Sequence, residues 1–144
     1  MPEAAPQVVL AFDFGLKRIG LASGESLTGS AAPLAAVRNA GAPDWAAIDR
    51  HIAGLKPGQL VVGNPYNADG SPGPLSDAAS RFARALGDRY GLPVARVDER
   101  WSSIDAAGRL KERRASGARR RRVRREDIDS AAAAVILERW FQGG

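Results

Sequence analysis

The chain has no cysteine and a single histidine, His51, in 144 residues. Without cysteine there is no disulfide framework and no thiolate metal site, and one imidazole is a poor start for zinc. Aromatic residues make up only 6% of the chain, and Trp45, Trp101 and Trp140 are spread along it. That spacing suits core packing better than a base-stacking platform. No apolar stretch approaches the roughly 20 residues needed to cross a bilayer, and the segment Met1-Pro2-Glu3-Ala4-Ala5-Pro6 has no basic start of the kind that opens a signal peptide. The expectation is a soluble, cytoplasmic protein. The length suits one domain over 1–144, with 1–6 flexible and 115–125 a basic loop, and leaves no room for two lobes around a cleft.

What the chain does have begins with an acid at the end of an apolar run. Val8-Val9-Leu10-Ala11-Phe12 reads as a buried central strand, and Asp13 closes it. A carboxylate there calls for a cation, a metal or the metal of an anionic ligand. Gly15 and Gly20 fit a tight turn into a second strand, with Lys17 and Arg18 at its tip. The plainer reading is a solvated aspartate opening a turn.

The formal net charge of +5 is unevenly placed. Between Lys111 and Arg125 there are nine basic residues and one acid. Arg119, Arg120, Arg121, Arg122, Arg124 and Arg125 would repel one another unless solvated or paired with a polyanion, for which a phosphate backbone is the commonest candidate. A basic loop with no specific partner is the alternative.

Elements follow in a recognisable order. Strands are predicted over Val8 to Asp13 and Ile19 to Ser23, with a third over Ala31 to Arg38 that Pro33 assigns to an edge. Asp44 is placed to cap a helix to about Leu55, carrying Trp45, Ile48, Ile52 and Leu55 at helical spacing. Gln59 to Gly63 reads as a short buried strand, Asn64 to Pro74 as a loop, and Leu75 to Tyr90 as a helix. Pro93 to Val97 is a further strand; Ser102 with Asp105 resembles a capping box, and the last helix spans Glu126 to Phe141. Hairpin strands followed by alternating strands and helices describe a mixed α/β sheet covered by helices.

Two more acids join Asp13. Strand alternation puts Glu99 in register with Ala95 and Val97, the more apolar side. Asp129 precedes Ala132, Ala133, Ile136 and Trp140 at helical offsets, which puts it on the core-facing stripe, although stabilising the helix dipole is a simpler role for it. Three inward carboxylates without His or Cys ligands point to a hard cation such as Mg²⁺ or Mn²⁺.

Four ordered motifs carry a resemblance: Asp13-Phe14-Gly15-Leu16-Lys17-Arg18-Ile19-Gly20; Val61-Val62-Gly63-Asn64-Pro65 with Asn67-Ala68-Asp69-Gly70; Asp98-Glu99-Arg100-Trp101-Ser102-Ser103; and Ile128-Asp129-Ser130-Ala131-Ala132. Together they span nearly the whole chain and resemble the YqgF/RuvX family. That resemblance implies an RNase H-like, RuvC-like fold: a five-stranded mixed sheet, its first three strands antiparallel, flanked by helices. It further implies a divalent-metal-dependent endonuclease with Asp13, Glu99 and Asp129 as its acidic cluster. A fourth carboxylate, sought among Glu126, Asp98 and Asp69, has no clear place. Lys17 and Arg18 would steady the scissile phosphate; Arg100, Tyr66 and the 119–125 arginines would meet the rest of the nucleic acid.

The substrates implied are the 5′ end of pre-16S rRNA and branched DNA such as Holliday junctions, the latter tied to recombination and repair. Paired cuts on a junction would require a homodimer, whereas RNA trimming needs one site. Two other readings compete. Actin-like ATPases and sugar kinases also open with an Asp-x-Gly turn but need a second lobe. A non-catalytic RNA-binding module in ribosome biogenesis or transcription would use the arginines and leave the acids unexplained.

Overall fold

The computed structural model describes residues 7–64, 75–98 and 125–143, the last segment without the side chains of 125–129. Five strands form one sheet: β1 (Val8–Phe14), β2 (Arg18–Glu25), β3 (Ser30–Arg38), β4 (Gln59–Asn64) and β5 (Val94–Asp98). Their spatial order is β3-β2-β1-β4-β5. β1 pairs antiparallel with β2, and β2 with β3, whereas β1–β4 and β4–β5 are parallel. The expected mixed sheet, antiparallel in its first three strands, is therefore observed, with β3 and its Pro33 at an edge where the missing N–H costs no ladder bond.

Three helices cover the sheet: α1 (Trp45–Leu55), α2 (Ser76–Tyr90) and α3 (Arg125–Phe141). Asp44 caps α1 as its sequence position suggests, accepting the Ala47 N–H at 3.2 Å. α2 stops at Gly91, whose φ of 65° is the left-handed conformation that glycine adopts at low cost.

Strand alternation divides the core into two layers. On one face Leu10, Phe12, Ile19, Leu21, Leu60 and Val62 pack under α1 and α2 with Ile48, Phe82 and Leu86. Phe82 is the hub of this layer, its ring 5.6 Å from Phe12, 5.2 Å from Phe14 and 5.7 Å from Trp45. Trp45 thus has the packing role its position suggests. Trp140 packs on the other layer, and Trp101 lies outside the described residues.

That other layer is built from smaller residues. Val9, Ala11, Ala22 and Val61 meet Ala133, Ala134, Ile136 and Leu137, and the alanines let α3 lie close to the sheet. Gly24 of β2 sits beneath Leu137 and Phe141, so the C-terminal end of α3 covers the start of β1. The helix therefore runs against β1, with its first turns toward the strand's carboxyl end. An Arg89–Asp49 ion pair ties α2 to α1 at 2.7 Å, and Arg89 also stacks 5.0 Å over the Trp45 ring. No helix among the described residues is long and apolar enough to cross a membrane.

Candidate functional site

Parallel strands place their carboxyl ends at one edge of the sheet, the usual location of ligand sites in open α/β folds. Here that edge gathers Asp13 and Phe14 of β1, Gly63 and Asn64 of β4, and Asp98 of β5. Asp13 follows Val9 and Ala11 in alternation, so its half-buried side chain projects to the α3 face.

The two neighbours of Asp13 in its row across the sheet carry no side chain. Asp13 pairs with Gly20 on β2, and the β1–β4 register (Phe12 with Val62) brings Gly63 level on the other side. Gly20 and Gly63 share the α3 face with Asp13, so the positions level with the carboxylate on both neighbouring strands are glycines. The next residue in the row is Val97, the partner of Gly63. Two strand spacings, about 10 Å, separate Val97 from Asp13.

The turn after Asp13 is held from β3. Asn39, only 7% exposed, donates from Nδ2 to the Gly15 carbonyl at 2.6 Å, while its backbone N–H donates to the Lys17 carbonyl at 2.9 Å. A Cβ on Gly15 would come within 2.6 Å of the Arg18 carbonyl oxygen, so the turn is tight enough to require glycine there. Lys17 is exposed and Arg18 half-buried, and both line a groove of about 610 Å³ with Leu16, Arg38 and Asn39. Sequence reasoning overlooked Asn39: a polar residue after a strand reads as an ordinary turn residue, and only the fold brings it to Gly15, 24 positions away.

The other expected site residues stand as follows. Glu99, Arg100, Tyr66, Asp69 and Arg119 to Arg124 lie outside the described residues. Asp129 and Arg125 belong to the first turns of α3, toward the Asp13 end of the sheet, and Glu126 lies beside them in the chain. Asp98 ends β5, where Arg139 of α3 donates to its carbonyl at 3.0 Å and so anchors the chain one residue before Glu99. Ser130, adjacent to Asp129, is 3% exposed. Among the described residues no three His, Cys, Asp or Glu side chains come together as a metal cluster. The lone His51 is on α1, which packs on the face opposite Asp13, and burial together with Arg50 holds its pKa below the usual imidazole value.

A family profile described as RuvX, Holliday junction resolvase, matches residues 7–143. The chain belongs to the RuvX family. Curated relatives agree: it is 43% identical over 138 residues to a protein of Edwardsiella ictaluri, covering 95% of this chain and 96% of that one. It is 46% identical over 146 residues to one of Xanthomonas axonopodis pv. citri, covering 98% and 94%. Both carry the name "Putative pre-16S rRNA nuclease". Among solved structures, Thermus thermophilus RuvC in complex with a Holliday junction substrate superposes with a TM-score of 0.53 at 18% identity, over 94% of each chain. That likeness shows that this RuvX chain has the RuvC-like fold.

Proposed function

We propose that this protein is a divalent-metal-dependent endonuclease that hydrolyses phosphodiester bonds in structured precursor rRNA, acting as a single RNase H-like domain in the cytoplasm. The observation that carries the reading is the position of Asp13: a half-buried carboxylate at the carboxyl edge of the sheet, with glycine on both sides. The names of relatives 43% and 46% identical over almost the whole chain favour rRNA as substrate. The RuvX family description favours a second reading, resolution of Holliday junctions, whose paired symmetric cuts would require a homodimer.

The donor chemistry fits Mg²⁺ or Mn²⁺. Asp13 offers hard carboxylate oxygen, the chain has no thiolate, and its imidazole is on the far face. Asp13, Glu99 and Asp129 are the residues proposed to hold the ion. Glu99 follows the β5 end that Arg139 anchors, and Asp129 stands on the helix that overlies Asp13's face. A bound divalent ion would supply an acidified water nucleophile and charge stabilisation at the leaving 3′ oxygen. The carboxylates form no covalent bond to substrate. Lys17 and Arg18, held beside Asp13 by the Asn39-braced turn, orient the scissile phosphate and offset its charge. Tyr66, Arg100 and the arginines at 119–122, 124 and 125 are proposed to contact the flanking strand, supplying salt-dependent affinity without sequence readout.

The experiment offers the purified protein three substrates side by side with Mg²⁺ or Mn²⁺: a 5′-extended 16S rRNA precursor, a four-way DNA junction and linear duplex DNA. Metal-dependent cutting of the precursor, suppressed by chelation, is expected. Preferential symmetric cutting of the junction would move the assignment to the second reading. Binding of RNA with no cleavage of any substrate would reduce the protein to a non-catalytic RNA-binding module.

A further inference from the structure

Among the described residues a basic surface begins at the Asp13 turn and passes the carboxyl end of β3. β3 runs parallel to β1, so its last residue, Arg38, arrives at the same carboxyl edge as Asp13. In the β2–β3 register Arg38 stands directly opposite Arg18. Two arginines set opposite each other across two strands concentrate positive charge at this corner of the sheet.

Two grooves meet at Arg38. One, of about 610 Å³, also carries Lys17 and Arg18; the other, of about 370 Å³, lies between the end of β3 and α1 and carries Arg50 and His51. Lys17, Arg38 and Arg50 are exposed, and among the described residues none of the three is in an ion pair. Asp44 is the one acid in either lining, and its carboxylate already caps α1 through the Ala47 N–H. His51 adds no charge at neutral pH, since burial and Arg50 lower its pKa. The result is a continuous cationic track, Lys17–Arg18–Arg38–Arg50, that starts beside the proposed site and rounds the sheet edge onto the α1 face.

We infer that this track binds the phosphate backbone of the RNA substrate, with Arg38 and Arg50 as phosphate-contacting residues. The inference rests on the nuclease reading above, which supplies the polyanion and the choice of RNA. It adds a footprint: the substrate extends past β3 as well as across the α3 face.

The test measures binding in EDTA, so that no cleavage intervenes, of a fluorescently labelled RNA stem-loop with a 5′ extension and of the DNA version of the same sequence. Full-length protein is compared with Arg38→Ala, Arg50→Ala, the double variant, and Arg84→Ala on the exposed surface of α2 as control. Each lost phosphate contact lowers the slope of log K against log salt by about 0.7–0.9. The double variant should therefore lose roughly 1.5 from that slope and bind the RNA at least about tenfold more weakly at low salt. Arg84→Ala should match the parent, and because a phosphate contact does not read the sugar, the DNA version should lose slope as well. Because Arg38 is exposed and makes no ion pair among the described residues, Arg38→Ala should melt with the parent without RNA, so weaker binding is not a folding defect. A double variant with parental slope and affinity overturns the track even if the parent cleaves RNA. A loss confined to the DNA version overturns its assignment to RNA. A parent that binds the stem-loop through this track yet cuts nothing with Mg²⁺ sinks the nuclease reading and leaves the track standing.

Discussion

Asn39 is the most exacting probe of how the Asp13 turn is built. Its Nδ2 group donates at 2.6 Å to the Gly15 carbonyl from a position only 7% exposed. Replacing it by alanine removes one hydrogen bond, a net loss of about 1 kcal/mol, and leaves a part-buried carbonyl without that donor, which adds about 1 kcal/mol or more. A total near 2 kcal/mol corresponds to a drop in Tm of roughly 4–8 °C for a domain of this size. Asn39→Asp should cost more at neutral pH, because two oxygens would then face each other with no proton between them. That carboxyl would have its pKa raised in the folded state, so its best stability lies at acid pH, where it is protonated and can donate, and is lost as pH rises through the raised pKa. Thermal melts from pH 4 to 8 read both effects. Since the same turn carries Lys17 and Arg18, cleavage by Asn39→Ala should show a higher KM as well. An Asn39→Ala protein melting within about 1 °C of the parent, or an Asn39→Asp protein with a flat pH profile, would refute the claim that this hydrogen bond holds the turn.

Other outcomes follow from the same physics. Gly15→Ala drives a Cβ to 2.6 Å from the Arg18 carbonyl, so the turn must shift; a stability loss of about 1–3 kcal/mol with reduced cleavage is expected in denaturant titration and activity assays. Phe82→Ala empties the hub between Phe12, Phe14 and Trp45 and should cost about 3–5 kcal/mol, read from the urea midpoint. Asp49 is held down to about 2 by hydrogen bonds from Arg89 and Tyr90. Its contribution is therefore complete above its ordinary value of 3.8 and is lost as pH falls from there toward 2, a loss that Asp49→Asn should abolish in acid-denaturation curves.

Much of this architecture was legible in local pattern. The apolar run ending in Asp13, the edge-strand proline at Pro33 and the Asp44 cap each determine structure within a few residues of themselves, so the strands and α1 lie close to their expected places. Trp45 and its spacing announced packing, and the rings of Phe82 and Tyr90 bear that out. What sequence could not reveal was register between strands far apart in the chain. Gly20 and Gly63 read as turn and strand glycines; only pairing β1 with both β2 and β4 shows that they flank one carboxylate on one face. The same holds for Arg38 opposite Arg18 and for Asn39 under Gly15, contacts that no local periodicity encodes.

The central claim is that Asp13 holds the metal at which a phosphodiester is cut. It is tested most directly by Asp13→Asn, compared with the parent for cleavage of the 5′-extended rRNA precursor in Mg²⁺ and Mn²⁺. A neutral amide keeps the shape of the strand end and removes the anionic ligand. At 1.36 kcal/mol per decade, forfeiting several kcal/mol of metal-borne charge stabilisation predicts a rate loss of about 10³-fold or more. The circular dichroism spectrum and RNA affinity should be unchanged. Parental cleavage by Asp13→Asn in either metal would contradict the account.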